Sequence, residues 1–149
     1  MLEINKLYRD LIIKHYQEPQ NWGLSQDPDF INITNKNVSC GDSISLQIKI
    51  SNQKLIDIKY ETQACAICRA SASLMSIHLK NLEIPQTLEK INHFLAMINN
   101  QIYDETQLDK ELLLFKHFIN FPGRVACISL PWKALQQVIK AHTIKKVIK

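Results

Sequence analysis

The stretch from residue 55 to residue 73 constrains this chain more than any other. Over residues 55–60, Ile56, Ile58 and Tyr60 alternate with polar neighbours, the period of a strand with one buried face. Residues 70–80 then run without Gly or Pro and are rich in helix formers and small side chains. Cys65, in Gln63-Ala64-Cys65-Ala66-Ile67-Cys68, therefore stands where a strand hands over to a helix. Unsatisfied backbone N–H groups and the positive end of a helix dipole lie close to such a position. That setting favours thiolate, the form of cysteine that binds metal or attacks sulfur. The Ala and Ser residues behind Cys65 leave room for other segments, and Cys40 and Cys127 are the candidates to approach.

The segment before this stretch supplies its partner strand. Ile44, Leu46, Ile48 and Ile50 alternate with polar residues over 43–50, and Ser51-Asn52-Gln53-Lys54 makes the turn of an antiparallel hairpin. Cys40 and Asp42 precede the first strand and Cys65 follows the second, so the two ends of the hairpin lie side by side. Three potential ligands thereby meet.

The remaining elements surround this hairpin. Residues from 5 or 6 to 18 read as an amphipathic helix through Leu7, Leu11, Ile12 and His15-Tyr16, stopped by Pro19 and Gly23. Residues 19–37 read as a loop with one short strand over 31–34. Pro85 opens a second amphipathic helix with Leu88, Ile91, Leu95 and Ile98 on one face, ending at Asn99-Asn100. A short helix or tight apolar segment runs over 112–118 and a break follows at 120–124. A last helix spans about 124–142. Pro131 requires that this helix either starts near Leu130 or bends, and both place Cys127 at or just ahead of a helix start. The pattern is α+β, a small antiparallel sheet against several helices, in a single domain over 1–149.

Composition removes whole classes of function. The chain is 46% hydrophobic and 21% charged, ordinary for a globular protein, and three glycines are too few for an all-β fold dense in tight turns. The start Met1-Leu2-Glu3-Ile4-Asn5-Lys6 lacks the apolar core of a signal peptide, and no apolar run is long enough to span a membrane. The expectation is a cytoplasmic protein whose four cysteines serve as ligands or reactive groups instead of disulfides. Lys140, Lys145, Lys146 and Lys149 read as a solvated helix end, with no nucleic-acid motif beside them. His15, His78, His93, His117 and His142 show no ligand spacing and are expected at the surface or as satisfied core residues.

Cys40, Asp42, Cys65, Cys68 and Cys127 form the constellation to explain. Three cysteine sulfurs and a carboxylate make a four-coordinate site suited to zinc or to iron in a cluster. Carboxylate is the more exchangeable ligand, which fits a site that swaps its contents. Burial as a small hydrophobe is the usual fate of a free cysteine. It leaves unexplained a Cys-Gly-Asp turn together with two cysteines at helix starts.

These residues resemble the NifU/IscU/SufU family of iron–sulfur cluster scaffold and sulfur-acceptor proteins, its SufU-type branch above all. The resemblance runs through Leu7-Tyr8-Arg9-Asp10, His15-Tyr16, Pro19-Gln20-Asn21-Trp22-Gly23, Ser39-Cys40-Gly41-Asp42, Ala64-Cys65-Ala66-Ile67 and Ala70-Ser71-Ala72-Ser73. It ends in Phe121-Pro122-Gly123-Arg124-Val125-Ala126-Cys127 and Trp132-Lys133-Ala134-Leu135. It implies a SufE/NifU-like fold and a metal site of Cys40, Asp42, Cys65 and Cys127 holding zinc, iron or a [2Fe–2S] cluster. It further implies that a cysteine desulfurase delivers persulfide sulfur, with Cys40 as acceptor, and that iron–sulfur apo-proteins or carriers lie downstream. The protein would be a non-enzymatic scaffold or sulfur acceptor, monomeric or weakly oligomeric, with no nucleic acid or membrane as partner. Arg124 matches an arginine typical of the SufU branch, and the long segment between Cys65 and Cys127 matches that branch's insertion.

The chain departs from the IscU branch by lacking Leu-Pro-Pro-Val-Lys and the His-Cys pair before the last helix. Cys68 stands where SufU-type proteins commonly have serine. It is a spare ligand, a thiol that resolves persulfide, or a buried small residue. The rival functional readings are a Cys-x-x-Cys thiol–disulfide oxidoreductase, which leaves Cys40, Asp42 and Cys127 without purpose, and a purely structural zinc module.

Overall fold

The β-hairpin is the frame on which the other elements are hung. The computed structural model describes residues 2–37 and 41–148, with side chains for 6–37 and 41–143. Strands β2 (Ser43–Ser51) and β3 (Lys54–Gln63) pair antiparallel, from Ser51↔Lys54 at the turn to Ser43↔Gln63 at the open end. Asn52 and Gln53 make the turn in left-handed backbone conformations, φ 51° and 67°, the geometry a two-residue hairpin loop requires. β1 (Ile31–Lys36) adds antiparallel to the free edge of β2, giving the order β1-β2-β3. It is two residues longer than the sequence pattern predicts.

The buried face of the sheet carries Ile44, Leu46, Ile48, Leu55, Ile58 and Tyr60. The alternation in β3 predicts Ile56 on this face, and the structure corrects that. The register jumps from Lys49↔Asp57 to Ile50↔Leu55, so Ile56 falls in a bulge and Leu55 takes the core position.

Helices α1 (Leu2–Gln17), α2 (Ala66–Leu79) and α3 (Ile84–Ile98) precede α4 (Lys110–Leu113) and α5 (Pro122–Ile148). α1 begins earlier than its apolar spacing suggests. α3 matches its signals closely, with Pro85 in the first turn and Asn99 as C-cap. The segment after α4 continues as a 3₁₀ turn over Leu114–Phe118. α2 and α5 pack on each other, α1 packs on α2, and α5 reaches β1 and β2. Trp132 lies at the centre of this core, fully buried and stacked on Phe94 with ring centroids 3.8 Å apart.

α5 departs from both predicted starts. Phe121 accepts hydrogen bonds from the N–H groups of Arg124 and Val125, at 2.9 and 3.0 Å, so the first turn closes directly behind Pro122. The helix then continues through Pro131. Pro131 has no N–H to offer the carbonyl four residues back, that of Cys127. Hydroxyl groups bond the α5 backbone nearby: Ser71 Oγ donates to Ile128 O at 2.8 Å and Ser129 Oγ to Val125 O at 2.7 Å. Cys127 consequently sits in the second turn of α5, a turn further in than expected.

Candidate metal centre

Asp42 reaches the centre from the open end of the hairpin. Gly41 has φ 77°, a conformation that disfavours a side chain, and its N–H donates to Asn37 O at 2.9 Å. Asn37 N–H in turn donates to Asp42 O at 2.7 Å, which ties Asp42, one residue ahead of β2, to the residue that follows β1. Ser43 pairs with Gln63, so Asp42 lies beside the exit from β3. Cys65 follows as the N-cap of α2, with φ −66° and ψ 166°. Its backbone N–H lies 3.3 Å from Asp42 Oδ1 and its Sγ lies 3.8 Å from Oδ2. The carboxylate is already turned toward the thiol.

Cys127 completes the group from α5. One ligand atom each from Asp42, Cys65 and Cys127 lie within 4.8 Å of one another, and Asp42 and Cys127 are buried at 6% and 4% exposure. Among the described residues no Lys, Arg or His side chain pairs with Asp42. A buried carboxylate facing two thiols with no cationic side chain beside it is the setting in which a metal ion supplies the missing charge. The donor set, one hard oxygen and two soft sulfurs, suits zinc or iron and lacks only a fourth ligand. Cys40, predicted as that ligand, lies outside the described residues.

Cys68 is elsewhere. It is fully buried, in the apolar cluster that also contains Leu74, Met75 and Ile128, and it is not among the grouped ligand atoms. Arg124 is exposed and, with Phe121, Pro122, Gly123 and Cys127, lines a shallow hollow of about 430 Å³ beside the centre. The histidines lie apart from this group, among the described residues. His15 is buried with Nδ1 2.7 Å from Ser73 Oγ, and His78 lies between Asp109 at 3.2 Å and Glu111 at 2.9 Å.

Two arrangements escaped the sequence. Arg69, one helical turn after Cys65, places its guanidinium 4.3 Å from the Trp22 ring centre and 5.2 Å from that of Tyr16, a cation held between aromatic faces. The turn carrying Trp22 is stitched to β3 by Gly23 N–H donating to Tyr60 O at 2.8 Å. Burial pushes the Tyr60 phenol up to about 12. The other arrangement is a clamp between α2 and α5, in which Trp132 Nε1 donates to Ser71 Oγ at 3.0 Å. The only trace of either in the sequence was a lone Arg four residues after Cys65 and a Ser in a run of small residues.

Comparison with known proteins decides the family. The NifU-like N terminal domain model matches residues 7–148. The chain belongs to the NifU-like N-terminal domain family. It is 32% identical over 134 residues to the zinc-dependent sulfurtransferase SufU of Bacillus subtilis, an alignment covering 90% of each chain. It is 31% identical over 134 residues to the iron–sulfur cluster assembly scaffold protein IscU of Thermotoga maritima, covering 90% of this chain and 93% of the relative. The crystal structure of an iron–sulfur cluster assembly scaffold for the SUF system from Fervidobacterium islandicum superposes with a TM-score of 0.81 at 28% identity, covering 87% of this chain and 94% of that one. A NifU-like protein from Brucella abortus shares the fold, with a TM-score of 0.79 at 20% identity. Within the NifU-like family this chain lies on the SufU-like branch, and its α+β fold is that of the family. These relatives do not favour a thiol–disulfide oxidoreductase or a purely structural zinc module. No helix among the described residues is long and apolar enough to cross a membrane.

Proposed function

We propose that this NifU-like protein carries sulfur for iron–sulfur cluster assembly at a zinc centre formed by Cys40, Asp42, Cys65 and Cys127. The observation that carries the reading is the buried Asp42 carboxylate, aimed at Cys65 and grouped with Cys127, with no cationic side chain beside it among the described residues. Zinc bound there keeps its sulfur ligands deprotonated at neutral pH. Asn37 and Asp42, which flank Cys40 in the sequence, are hydrogen-bonded to each other through their backbones, and Asp42 is itself one of the grouped ligands.

A cysteine desulfurase is the proposed donor. The Cys40 thiolate attacks the outer sulfur of the donor's persulfide, the donor's sulfur–sulfur bond breaks, and the donor leaves as thiolate. Cys40 then bears the persulfide for transfer to an apo-protein or carrier. The Phe121–Arg124 hollow beside Cys127 is open to such a partner, with an apolar ring 57% exposed and a cation at its rim. Arg124 is proposed to meet the donor there.

Elemental analysis and an absorption spectrum on protein purified without oxygen test this directly. One zinc per chain, no visible bands and persulfide at Cys40 after incubation with a desulfurase and cysteine are expected. A brown protein containing iron and sulfide would replace the relay with cluster assembly on the centre itself. Loss of zinc in Asp42→Ala ties the metal to this site.

A further inference from the structure

Cys68 lies outside the group formed by Asp42, Cys65 and Cys127, and its position relative to Cys65 gives it a chemistry of its own. Cys65 is the N-cap of α2 and Cys68 is the third residue of the helix. These are the two positions whose groups face each other across the first turn in a capping box. At Cys65 no side-chain capping bond occupies that space, and the turn is closed by Arg69 N–H donating to Cys65 O at 3.1 Å. One-turn neighbours have Cβ atoms about 5–6 Å apart, and a disulfide needs about 3.5–4.5 Å. The difference is within reach of a rotation at Cys65, whose extended backbone stands outside the helix. The exposures are asymmetric: Cys65 is half-buried and Cys68 is fully buried.

We propose that Cys65 and Cys68 form a redox pair that closes on exposure to a low-molecular-weight disulfide and withdraws Cys65 from the metal centre. Cys65 Sγ, as thiolate, attacks one sulfur of the external disulfide; that bond breaks and one thiolate leaves, giving a mixed disulfide on Cys65. Cys68 gives up its proton to the departed thiolate and attacks Cys65 Sγ, and the second external thiol leaves. Two protein thiols are oxidised and one external disulfide is reduced to two thiols. The exposures set the order, because an external reagent meets Cys65 and only an intramolecular attack uses Cys68. Closure leaves Asp42 and Cys127 without the ligand they face, so metal is released; by linkage, bound metal protects Cys65 from oxidation. The release step rests on the zinc reading above, whereas closure of the pair does not.

The test uses the full chain, metal-free and zinc-loaded, incubated with glutathione disulfide. Free thiols are then alkylated and the linkages mapped by peptide mass spectrometry, with released zinc followed by a metallochromic indicator. A Cys65–Cys68 link is expected in both samples, forming at least tenfold more slowly with zinc bound, with one zinc released per link. In Cys68→Ser and Cys68→Ala the glutathione adduct on Cys65 is expected to persist. A Cys65 link to Cys40 or Cys127, or Cys68 recovered as free thiol after full oxidation of Cys65, overturns the proposal. The wild-type map gives that answer even where a variant fails to fold. A chain that closes the pair but never holds zinc overturns the zinc reading and leaves the pair standing.

Discussion

Cys65 and Cys127 face one centre from two helices, yet they are held there by different means. Cys65 caps α2 from outside and is half-buried, whereas Cys127 lies in the second turn of α5 at 4% exposure. The position of Cys65 follows from hairpin register and one helix cap, features local in sequence. That of Cys127 depends on how α5 lies against α2, through Trp132, Ser71 and Ile128. A ligand set assembled this way has a local half and a tertiary half, and the two should fail separately.

The largest effect is expected from breaking the tertiary half. Trp132→Ala removes a fully buried ring stacked on Phe94 and should cost about 3–5 kcal/mol. Urea unfolding measures that loss, and zinc content measured on the same protein should fall as well. Full zinc binding in a destabilised Trp132→Ala would show that α5 does not need its packing to deliver Cys127.

Next come the proposed ligands. Cys65→Ala and Cys127→Ala should each weaken zinc binding by roughly 100-fold or more, since loss of even supporting groups around a metal costs about 10–100-fold. The metal-free proteins should differ from one another. Cys127→Ala empties a buried position and is expected to cost about 1 kcal/mol, whereas the half-buried Cys65 should cost a few tenths. Competition with a chelator reads the first quantity and denaturant melts of the apo-proteins the second. Equal apo stabilities would erase the distinction between the two halves.

A smaller change isolates the clamp. Ser71→Ala removes the acceptor for Trp132 Nε1 and the donor to Ile128 O, leaving buried polar groups without those partners. The expected cost is about 1–3 kcal/mol, with zinc affinity falling while Cys65 keeps its contact with Asp42. Unchanged affinity at reduced stability would place the clamp in folding alone.

What the sequence disclosed divides along the same line. The hairpin, its turn and the handover to α2 at Cys65 were legible because each rests on residues close together in the chain. Asp42 beside Cys65 followed from register alone. The bulge at Ile56 was hidden, because alternation carries no mark of an extra residue until the partner strand is paired. Cys127 was recognised as part of the constellation but misplaced by a turn. Proline predicts a boundary, and nothing in the local pattern of α5 reveals that a hydroxyl from α2 bonds Ile128 O beside it. Arg69 between Tyr16 and Trp22 was invisible for the same reason, as its partners lie more than forty residues away.

The contact of α2 with α1 is also expected to carry a pH dependence, distinct from the contact of α2 with α5 that positions Cys127. Ser71 and Ser73 face opposite partners from one helix: Ser71 meets α5, and Ser73 meets His15 of α1 and accepts the Gln20 N–H at 2.9 Å. Burial is the main cause that holds the His15 imidazole below its ordinary value of 6.5; Glu111 opposes the shift, and Lys14 and His78 add to it. The folded chain therefore binds a proton at His15 less readily than the unfolded chain. That contribution to stability is complete above about pH 6.5 and is lost as pH falls through the depressed folded value. Asp109 is also depressed: burial works against the shift, and the Lys90 hydrogen bond and His78 charge outweigh it. Its ordinary value of 3.8 confines its effect to more acid solution. Urea midpoints at pH 7.5 and 5.5 should thus fall more in wild type than in His15→Gln, which keeps a polar group for Ser73 without the titration. An equal fall in both would assign the acid sensitivity to groups other than His15. A matching fall in the α2–α5 contact, followed through Trp132 fluorescence below the unfolding transition, would show that α2 transmits protonation from one partner to the other.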